Sequence, residues 1–348
     1  MNLLKTQIKN IPSYLPGITL SILIAILAKV IEKLLPIHVI GASVIALFIG
    51  IFINSFKKPN ALIMKGLKFT SKKILKFAII LLGASLSIGT ILKVGKLSLS
   101  VMLFTLFTCF GVGYFVGKAL KLNWKLSNLI SAGTGICGGS AIAAIAPVID
   151  AEDRDIAYAM SATFLFDMIM ILVFPLMGRG LGLSDMAYGL WTGTAVNDTS
   201  SVVAASYAFS EAAGDFATMV KLTRTLTIIP TVIIFALINI YLKRNAARAN
   251  HTNVAETNIN FLSLFPWFIL GFIGLAIVNS LGYIPPTISS YAKDLSKFLM
   301  VAALAAIGLG TSFKEMKKSG TAPMLHGFII SALVVIVAIV VEYFMGIV

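Results

Sequence analysis

Two short runs rich in glycine and small polar residues interrupt otherwise apolar stretches of the chain. The first is Gly133-Thr-Gly-Ile-Cys-Gly-Gly-Ser-Ala-Ile-Ala-Ala144, and the second is Gly193-Thr-Ala-Val-Asn-Asp-Thr-Ser-Ser-Val-Val-Ala204. Each glycine weakens a helix by about 1 kcal/mol relative to alanine, and the polar side chains need partners that lipid lacks. We therefore predict unwound backbone at membrane depth in both runs. A half-helix that starts after such a break presents a positive N-terminal end, which favours an oxyanion.

The candidate substrate-binding residues in the two runs are hydroxyl, amide, carboxyl and backbone groups that would line a shared polar cavity. They are Gly133, Thr134, Gly135, Gly138, Gly139, Ser140, Asn197, Asp198, Thr199, Ser200 and Ser201. An alternative is that the small residues form tight helix-packing faces, as small-xxx-small patterns do in membranes. The two runs align with each other, yet two full spans here would run in the same direction unless one is a re-entrant hairpin. The sequence leaves that open.

Lys221 and Arg224 add two cations to the candidate substrate site. They lie three residues apart, so they share one helix face, and an anionic partner best explains two neighbouring cations inside a membrane. That partner is either the substrate or Asp198. The alternative is that both side chains extend to a headgroup region from the first turns of the helix.

Asp167 and Asp198 are the candidate carboxylates for ion coupling. Asp167 lies in the run Phe-Leu-Phe-Asp-Met-Ile-Met, with apolar residues on both sides. An ionisable group in such a setting predicts a proton or sodium carrier, or a structural partner for the two cations. Neither a catalytic residue nor a resident metal site is predicted.

The elements that must position these residues are membrane helices. The chain has 348 residues, of which 58% are hydrophobic and only 12% charged, and its mean hydropathy is +0.96. These values lie far outside the range of soluble domains. We predict one transmembrane domain over residues 1–348. The net charge of +14 sits in clusters between apolar runs and without a nucleic-acid-binding motif, so it indicates the positive-inside rule and excludes a nucleic-acid partner.

The predicted fold is an all-α membrane protein with ten or eleven transmembrane helices. The predicted spans are residues 17–35, 38–55, 73–93, 98–118, 126–149, 155–178, 186–208, 216–242, 261–281, 294–313 and 323–347. The lysine-rich connection after the second span, at residues 57–73, is predicted to be cytoplasmic. Alternation then places the N-terminus, with Lys5 and Lys9, inside and the C-terminus outside. The other basic connections inside contain Lys118, Lys121, Lys125, Lys243, Arg244, Arg248, Lys314, Lys317 and Lys318, whereas Asp150, Glu152, Asp153 and Asp155 fall outside.

An internal repeat relates two parts of the chain. Residues 72–96 align without gaps on residues 293–317, and the weaker similarity of the preceding spans pairs Asn54-Ser55 with Asn279-Ser280. An odd number of crossings separates the copies, so they are predicted to be inverted, as in many secondary transporters. Chance similarity between two lysine-flanked helices is the alternative. The identical pairs are Lys72/Lys293, Lys76/Lys297, Phe77/Phe298, Ala84/Ala305, Gly89/Gly310, Thr90/Thr311, Lys93/Lys314 and Lys96/Lys317.

The two runs, together with Lys-Leu-Thr-Arg-Thr-Leu from Lys221 and the proline after it, resemble the sulfate exporter family of conserved bacterial membrane proteins. The resemblance extends over nearly the whole chain. It implies an inner-membrane transporter grouped with bile acid and arsenite transporters, whose repeats cross two discontinuous helices. It also implies a sulfur oxyanion or sulfonate substrate. Asp167 departs from the uncharged polar residue that the resemblance leads us to expect there.

We therefore expect a secondary transporter that moves a small anion by alternating access, with no cofactor. The first alternative is a sodium- or proton-coupled symporter of an organic acid. An intramembrane enzyme is disfavoured because the chain lacks H-E-x-x-H, a G-x-S-x-G elbow and a histidine cluster. A channel is disfavoured because polar groups concentrate in two runs. The partners expected are the anion, membrane lipid and a Na⁺ or H⁺ coupling ion, and the sequence leaves a homodimer open.

Overall fold

The computed structural model of the chain describes residues 11–34, 42–250, 267–311 and 320–348. These ranges are helical and contain no strand, and five of their helices are long and apolar enough to cross a membrane, so the prediction of an all-α membrane protein is confirmed. The helices are α1 (Ile11–Leu34), α2 (Ala42–Phe56), α3 (Ala61–Phe69, Thr70–Ile74 and Leu75–Gly83 in one continuous run), α4 (Ile88–Phe107, Thr108–Val112 and Gly113–Ala119, also continuous), α5 (Trp124–Ala132 with Gly133–Cys137), α6 (Gly139–Ile145), α7 (Asp153–Gly180), α8 (Asp185–Ala195), α9 (Thr199–Phe209), α10 (Glu211–Thr225), α11 (Ile228–Asn250), α12 (Trp267–Ser280), α13 (Pro286–Gly310) and α14 (Thr321–Phe344).

Polar N-caps decide where several helices begin. The side-chain oxygens of Asn60, Ser87, Asn123, Ser184 and Ser210 each accept a hydrogen bond from the backbone N–H three residues later. This bond satisfies one of the free donors of the first helical turn. Because α3 starts after Asn60 and α4 after Ser87, the predicted span 73–93 is wrong. The lysines of residues 65–76 lowered the local hydropathy of α3 without preventing the helix.

Contacts between helix termini define two ends of the molecule. At the first, Lys125 Nζ donates to the Asp150 carbonyl oxygen at 2.6 Å. We call it the basic end, since the lysines of the α4–α5 connection lie there. At the opposite end, Lys293 in the first part of α13 forms an ion pair of 2.6 Å with Asp215 of α10. Helix α13 therefore runs towards the basic end, where its Leu309 carbonyl accepts a hydrogen bond from the Asn54 amide at the end of α2.

The stretch of acidic residues before α7 lies at the basic end. Asn123 Nδ2 is 3.2 and 3.3 Å from the two carboxylate oxygens of Asp155, and Lys125 contacts Asp150. The prediction that residues 150–155 and the lysines of the α4–α5 connection lie on opposite sides is therefore wrong. The segment between them enters the molecule and returns, so it does not cross. Lys314, Lys317 and Lys318 of the same topology prediction lie outside the described residues, as do Lys5 and Lys9.

The repeat forms a scaffold, which we define as α1, α2, α3, α12 and α13. The first copy is α2 and α3, and the second is α12 and α13. Each helix packs on a helix of the other copy, since α2 contacts α13 and α12 contacts α3. A Cβ on Gly50 of α2 would lie 2.6 Å from the Ala305 carbonyl oxygen of α13, so only glycine permits this approach. The equivalent asparagines also act reciprocally: Asn54 donates to Leu309 O, and Asn279 donates to Leu86 O at 3.2 Å.

The two copies run in opposite directions through the scaffold. Helix α2 ends at the basic end, whereas α12 ends beside the start of α4, where Ser280 Oγ accepts from the Ile88 N–H at 2.8 Å. Together with the exchanged partners, this is the arrangement expected of an inverted repeat. The alignment pairs that involve Lys314 and Lys317 fall outside the described residues.

Candidate functional site

The first glycine-rich run forms the tip of a re-entrant hairpin, which we call hairpin 1 (residues 124–150). Helix α5 runs inward and ends in one π-helical turn, and α6 leads back. Between them Gly138 adopts φ 62° and ψ −134°, a backbone conformation that side chains with a Cβ rarely allow. Since Lys125 contacts Asp150 at the neck, the predicted span 126–149 is wrong: this segment enters and leaves at the basic end.

The second run forms the tip of hairpin 2 (residues 185–209), which enters from the opposite end. Helix α8 runs inward, the backbone is extended at Val196, and α9 leads back. At the neck, Ser210 Oγ donates to Asp185 Oδ1 at 2.5 Å, and the Tyr188 hydroxyl donates to the Ala205 carbonyl at 3.1 Å. The predicted span 186–208 is therefore also a hairpin. Both runs are discontinuous helices, and their hairpins point towards each other.

The two tips meet near the middle of α7. A Cβ on Gly138 of hairpin 1 would lie 2.9 Å from the Asp198 Cβ of hairpin 2. Buried Asp167 of α7 accepts hydrogen bonds from the backbone N–H groups of Asn197, at 3.0 Å, and Asp198, at 2.9 Å. Asp198 in turn caps α9 by accepting from the Ser200 N–H at 2.9 Å. The carboxylates of Asp167 and Asp198 thus accept hydrogen bonds from the free backbone N–H groups of hairpin 2. We had predicted that such groups would bind the anion.

Lys221 and Arg224 of α10 hold the inward helix ends of both hairpins together. Lys221 Nζ donates to the carbonyl oxygens of Ile136 and Val196, both at 2.9 Å. Arg224 donates from Nε to Gly135 O at 2.6 Å and from Nη1 to Val196 O at 3.3 Å. A third bond runs from Arg224 Nη2 to Thr134 O at 2.5 Å. Cations are favourable beside C-terminal helix carbonyls, which carry partial negative charge.

The alternative in which Lys221 and Arg224 reach a headgroup region is wrong. Both side chains are fully buried, and their donors contact carbonyls at the meeting point of the two tips. The interpretation that Asp198 is their direct ion partner also has no support, since the ion pairs found among the described residues do not include it. Direct contact of either cation with a substrate stays a prediction.

The predicted substrate-binding residues lie at the two tips or, for Lys221 and Arg224, on α10 in contact with them, and they differ in exposure. Ser140 is exposed, and Gly139, Asp198 and Thr199 are half-buried, so these four form the accessible surface of the tips. The others are buried: Gly133, Thr134, Gly135, Gly138, Asn197, Ser200, Ser201, Lys221 and Arg224. Between α2 and α7 lies an open pocket of about 460 Å³ lined by apolar side chains that include Val44, Phe48 and Leu172, and none of the predicted site residues lines it.

Two residues at the tips were missed by the sequence analysis. Asn197 Nδ2 lies 3.3 Å from Ser331 Oγ of α14 and 3.5 Å from the Thr163 carbonyl oxygen of α7. Ser331 Oγ lies 3.5 Å from Thr134 Oγ1. Thr163 precedes Asp167 by one helical turn, and Ser331 is a polar residue inside a long apolar run. The sequence therefore contained a signal for both residues, because a polar residue inside a membrane helix usually faces the interior of the protein.

A second set of missed residues joins the scaffold to hairpin 2. Lys293 and Lys297 of α13 form ion pairs of 2.6 and 2.7 Å with Asp215 and Glu211 at the start of α10. The Tyr207 hydroxyl donates to the same Asp215 carboxylate at 2.7 Å. The repeat had identified both lysines, but their partners lie far away in sequence and could not be paired without the fold.

Comparisons with known proteins cover nearly all of this architecture. Residues 16–327 match the model of a family described as conserved hypothetical protein 698. A UPF0324 membrane protein from Clostridium tetani is 55% identical over 340 residues, which cover 97% of this chain and 99% of the relative. UPF0324 membrane proteins from Streptococcus agalactiae and Fusobacterium nucleatum are 40% and 38% identical, over 95% of this chain and 98% of each relative. The matched region includes the scaffold repeat and both hairpins.

Proposed function

The chain belongs to the conserved hypothetical protein 698 family of membrane proteins, and we propose that it is a secondary transporter that moves a small anion by alternating access. The observation that carries the proposal is the meeting of two re-entrant hairpins that enter from opposite ends. Their polar tips lie deep in an apolar protein, where irregular backbone is tolerated only inside protein or along a wet cavity. Paired discontinuous helices of opposite direction are the usual framework of a carrier's midplane site.

Alternating access is supported by how the scaffold contacts the hairpins. At the opposite end, the ion pairs of Lys293 and Lys297 join α13 to the helix that follows hairpin 2. Ser140 on hairpin 1, which enters from the basic end, is exposed. We propose that the accessible surface of the tips faces the basic end in this state, and that breaking the two ion pairs accompanies the switch to the other state.

A sulfur oxyanion such as sulfate or a sulfonate is the substrate class that we propose. The accessible part of the tips offers the hydroxyls of Ser140 and Thr199, which donate hydrogen bonds to oxyanions. Thr199 also begins α9, so the positive end of that half-helix lies beside them. Lys221 and Arg224 add positive potential from behind the tips through the buried carbonyls that they bridge.

The alternative, a sodium- or proton-coupled symporter of an organic acid, is favoured by one observation. The carboxylates of Asp167 and Asp198 lie at the meeting point of the tips, linked through the Asp198 N–H. Buried carboxylates in a carrier are candidate proton or cation carriers. This alternative uses the same hairpins and differs from the first proposal in substrate and in its dependence on an ion gradient.

We propose the bacterial inner membrane as the location, with the basic end in the cytoplasm according to the positive-inside rule. Residues 57–68 and 118–125 supply the lysines of that end. Helix α1 begins at the basic end, since its Gly17 packs against Gly66 in the first part of α3. Helix α14 also begins towards that end, since His326 Nε2 lies 3.0 Å from the Gly113 carbonyl oxygen in the last part of α4, so α14 runs to the opposite end. The N-terminus is thus proposed to lie inside and the C-terminus outside.

Uptake of radiolabelled sulfate, a small alkanesulfonate and a dicarboxylate into proteoliposomes tests the function. We expect saturable uptake of a sulfur oxyanion that is accelerated by the same unlabelled anion inside the vesicles, as a carrier requires. Repeating the assay with a Na⁺ gradient, a pH gradient or neither separates the two candidates. Protein-free liposomes give the background rate.

Several outcomes would overturn the proposal. Flux that rises linearly with concentration and is not accelerated from the other side would indicate a channel. Uptake of the dicarboxylate alone, dependent on an ion gradient, would favour the symporter of an organic acid. Uptake at the background rate for all three anion classes would remove the assignment of a small anion.

A further inference from the structure

Buried polar side-chain atoms without a hydrogen-bond partner are concentrated on helix α14. Among the described residues these atoms are His326 Nδ1, both carboxyl oxygens of Glu342 and, outside α14, Asn197 Oδ1. Glu342 is the extreme case, because its side chain is fully buried and neither carboxyl oxygen has a partner. The proposed function does not use this carboxyl group.

Glu342 lies at the opposite end, at the depth of the neck of hairpin 2. Trp191 Nε1 of α8 donates to the Val335 carbonyl oxygen of α14 at 2.9 Å. From this contact, Asp185 at the neck lies about 9 Å back along α8, and Glu342 lies about 10 Å further along α14. Both distances lead towards the opposite end. Ala338, one turn before Glu342, belongs to the main apolar core.

The helices that pack against α14 offer this carboxyl group no ion partner in the described part of the chain. Helices α4, α7 and α8 reach the same end as Glu342, whereas α5 enters from the basic end. The charged and titratable residues near this end are Lys93 and Lys96 of α4, Arg179 of α7, Asp185 and Tyr188 of α8, and Tyr343 of α14 itself.

These neighbouring groups are exposed or have contacts elsewhere. Both lysines and Tyr343 are exposed. Arg179 donates to the Ala208 carbonyl oxygen, Asp185 accepts from Ser210, and the Tyr188 hydroxyl donates to the Ala205 carbonyl oxygen. Glu342 occurs in none of the ion pairs found among the described residues.

An ionised carboxylate would be very costly at this position. Apolar protein does not replace the hydration of an anion, and no cation offsets the loss. Glu342 also lies in the last turn of α14, where the helix carbonyls carry partial negative charge and oppose an anion. A protonated carboxyl group avoids both penalties. The position therefore indicates a neutral carboxyl group in the observed state.

We propose that Glu342 is a proton-binding site, protonated in the observed state and ionised in the alternative state, in which water reaches the neck of hairpin 2. Ionisation breaks one O–H bond and transfers the proton to water at the opposite end. Because the observed state binds one proton more, a rise in pH at that end favours the alternative state. The site is separate from Asp167 and Asp198, which accept backbone hydrogen bonds at the tips. The switch rests on the proposed function, but the protonation of Glu342 in the observed state does not.

Infrared spectroscopy of the purified protein tests the protonation directly. In dodecyl maltoside, a detergent without carbonyl groups, a neutral carboxyl group gives a C=O band above the amide band, whereas an ionised one gives carboxylate bands. We expect the C=O band in the difference between the wild-type protein and Glu342→Gln at neutral pH. Asp155→Asn is the matched control, because it makes the same change at a buried acidic residue that has Asn123 as a hydrogen-bond donor. The band of Glu342 should persist in that variant.

Access to the tips tests the switch. Ser140→Cys, with Cys109 and Cys137 replaced by alanine, reports access from the basic end. An external impermeant thiol reagent labels only molecules whose basic end faces out of the vesicle, so the trapped buffer sets the pH at their opposite end. Raising the trapped pH at constant external pH should lower labelling, by at most about tenfold per pH unit, the limit for one proton. Adding Glu342→Gln should abolish this dependence, because the amide stays neutral.

Each outcome supports or overturns the proposal. Carboxylate bands without a C=O band in the difference spectrum, or an equal loss of the C=O band in Asp155→Asn, would overturn it. Labelling that does not depend on the trapped pH, or that depends on it equally in Glu342→Gln, would do the same. If Glu342→Gln fails to insert, Glu342→Met, also uncharged and of similar length, takes its place. Both expected results without transport of any tested anion would leave the proton site standing and overturn the proposed function instead.

Discussion

The two copies of the scaffold repeat carry equivalent pairs of lysines one helical turn apart, but only one pair has acidic partners. In the second copy, Lys293 and Lys297 form ion pairs with the start of α10 at the opposite end. In the first copy, Lys72 and Lys76 have no acidic side chain within ion-pair distance in the described part of the chain, and Lys76 lies over the Phe268 ring at 5.3 Å. Equivalent residues with unequal contacts are expected when a symmetric framework holds one of two alternative states.

The helices that follow the hairpins suggest where the unpaired lysines would find partners. Helix α10 starts after hairpin 2 and supplies Glu211 and Asp215. Helix α7 starts after hairpin 1 and is preceded by Glu152, an exposed residue whose ion pair with Arg154 is long, at 3.7 Å. In the alternative state, we expect Lys72 or Lys76 to pair with Glu152 at the basic end while the pairs at the opposite end separate.

The two hairpin tips turn through different backbone conformations and differ in chemistry. Hairpin 1 turns at Gly138, which adopts a positive φ because glycine has no Cβ. Hairpin 2 turns at Asn197 and Asp198, whose backbone N–H groups are held by Asp167. One tip is therefore shaped by the absence of a Cβ and the other by a buried carboxylate. Substitutions should affect the two tips through different physical causes.

The largest effect is expected at the tip of hairpin 1. In Gly138→Ala, the new Cβ would lie 2.9 Å from Asp198 Cβ and the residue would keep an unfavourable φ, so transport should fall at least about tenfold. Gly274→Ala in α12 is the control, because it makes the same change in a membrane helix outside the candidate site and its Cβ would meet no atom within 4 Å. Uptake by both variants, normalised to inserted protein, makes the measurement. Equal loss in both would show that the approach to Asp198 does not matter.

A slightly smaller effect is expected where α10 ties the tips together. In Arg224→Gln, the side chain no longer bridges the carbonyls of both hairpins, and buried acceptors are left unpaired. We expect the free energy of unfolding in detergent to fall by about 1–3 kcal/mol, with a lower transport rate. Thr223→Val is the control on the same helix, since its hydroxyl bonds only within α10. A variant with unchanged stability and a weakened affinity for the anion alone would mean that Arg224 contacts the substrate directly.

Much of this architecture could be predicted because its signals are local or periodic. Apolar runs predicted the membrane helices, glycine-rich polar runs predicted the breaks, and the lysine pairs revealed the repeat. The direction of the two runs could not be predicted, because a hairpin of about 25 residues has the same length and composition as a span. It became evident only from contacts at each neck, such as Lys125 with Asp150 and Ser210 with Asp185.

The partners of buried charges were also beyond the sequence. Lys221 and Arg224 bond to carbonyl oxygens, which every residue possesses, so no residue type could identify the partner. Ser331 lies 134 residues from Asn197, and only the packing of α14 beside the tips brings them together. Residue types thus predicted that charges and polar groups meet in the membrane, while the fold determined which groups they contact.

A moderate effect is expected when the ion pairs at the opposite end are changed. Lys293→Glu places two like charges together, and a partly exposed ion pair is worth about 0.2–1 kcal/mol. We expect the transport rate to change about two- to fivefold. The charge swap Lys293→Glu with Asp215→Lys should restore it, which a double-mutant cycle on uptake rates measures. Additive losses in the double variant would mean that the two residues act independently of each other.

The smallest effect, and the sharpest test of the comparison between the two copies, is a change in access to the tips. Ser140→Cys, in a background where Cys109 and Cys137 are replaced by alanine, reports access from the basic end, because Ser140 is exposed and both native cysteines are buried. The double variant Lys293→Gln, Lys297→Gln removes two ion pairs that we expect only in the observed state. The loss of about 0.5–1 kcal/mol shifts the equilibrium between the two states about two- to fivefold, so labelling by an impermeant thiol reagent from the basic end should fall, by at most that factor.

The equivalent change in the first copy, Lys72→Gln with Lys76→Gln, should not lower this labelling. It removes contacts that we expect only in the alternative state, so the population of the observed state stays the same or rises. The two double variants carry the same change of charge in equivalent helices, which makes each the control for the other. A general effect of lost positive charge on the reagent would lower labelling in both. Opposite or unequal shifts follow only if the two lysine pairs stabilise different states, so equal losses would remove the two-state interpretation of the repeat.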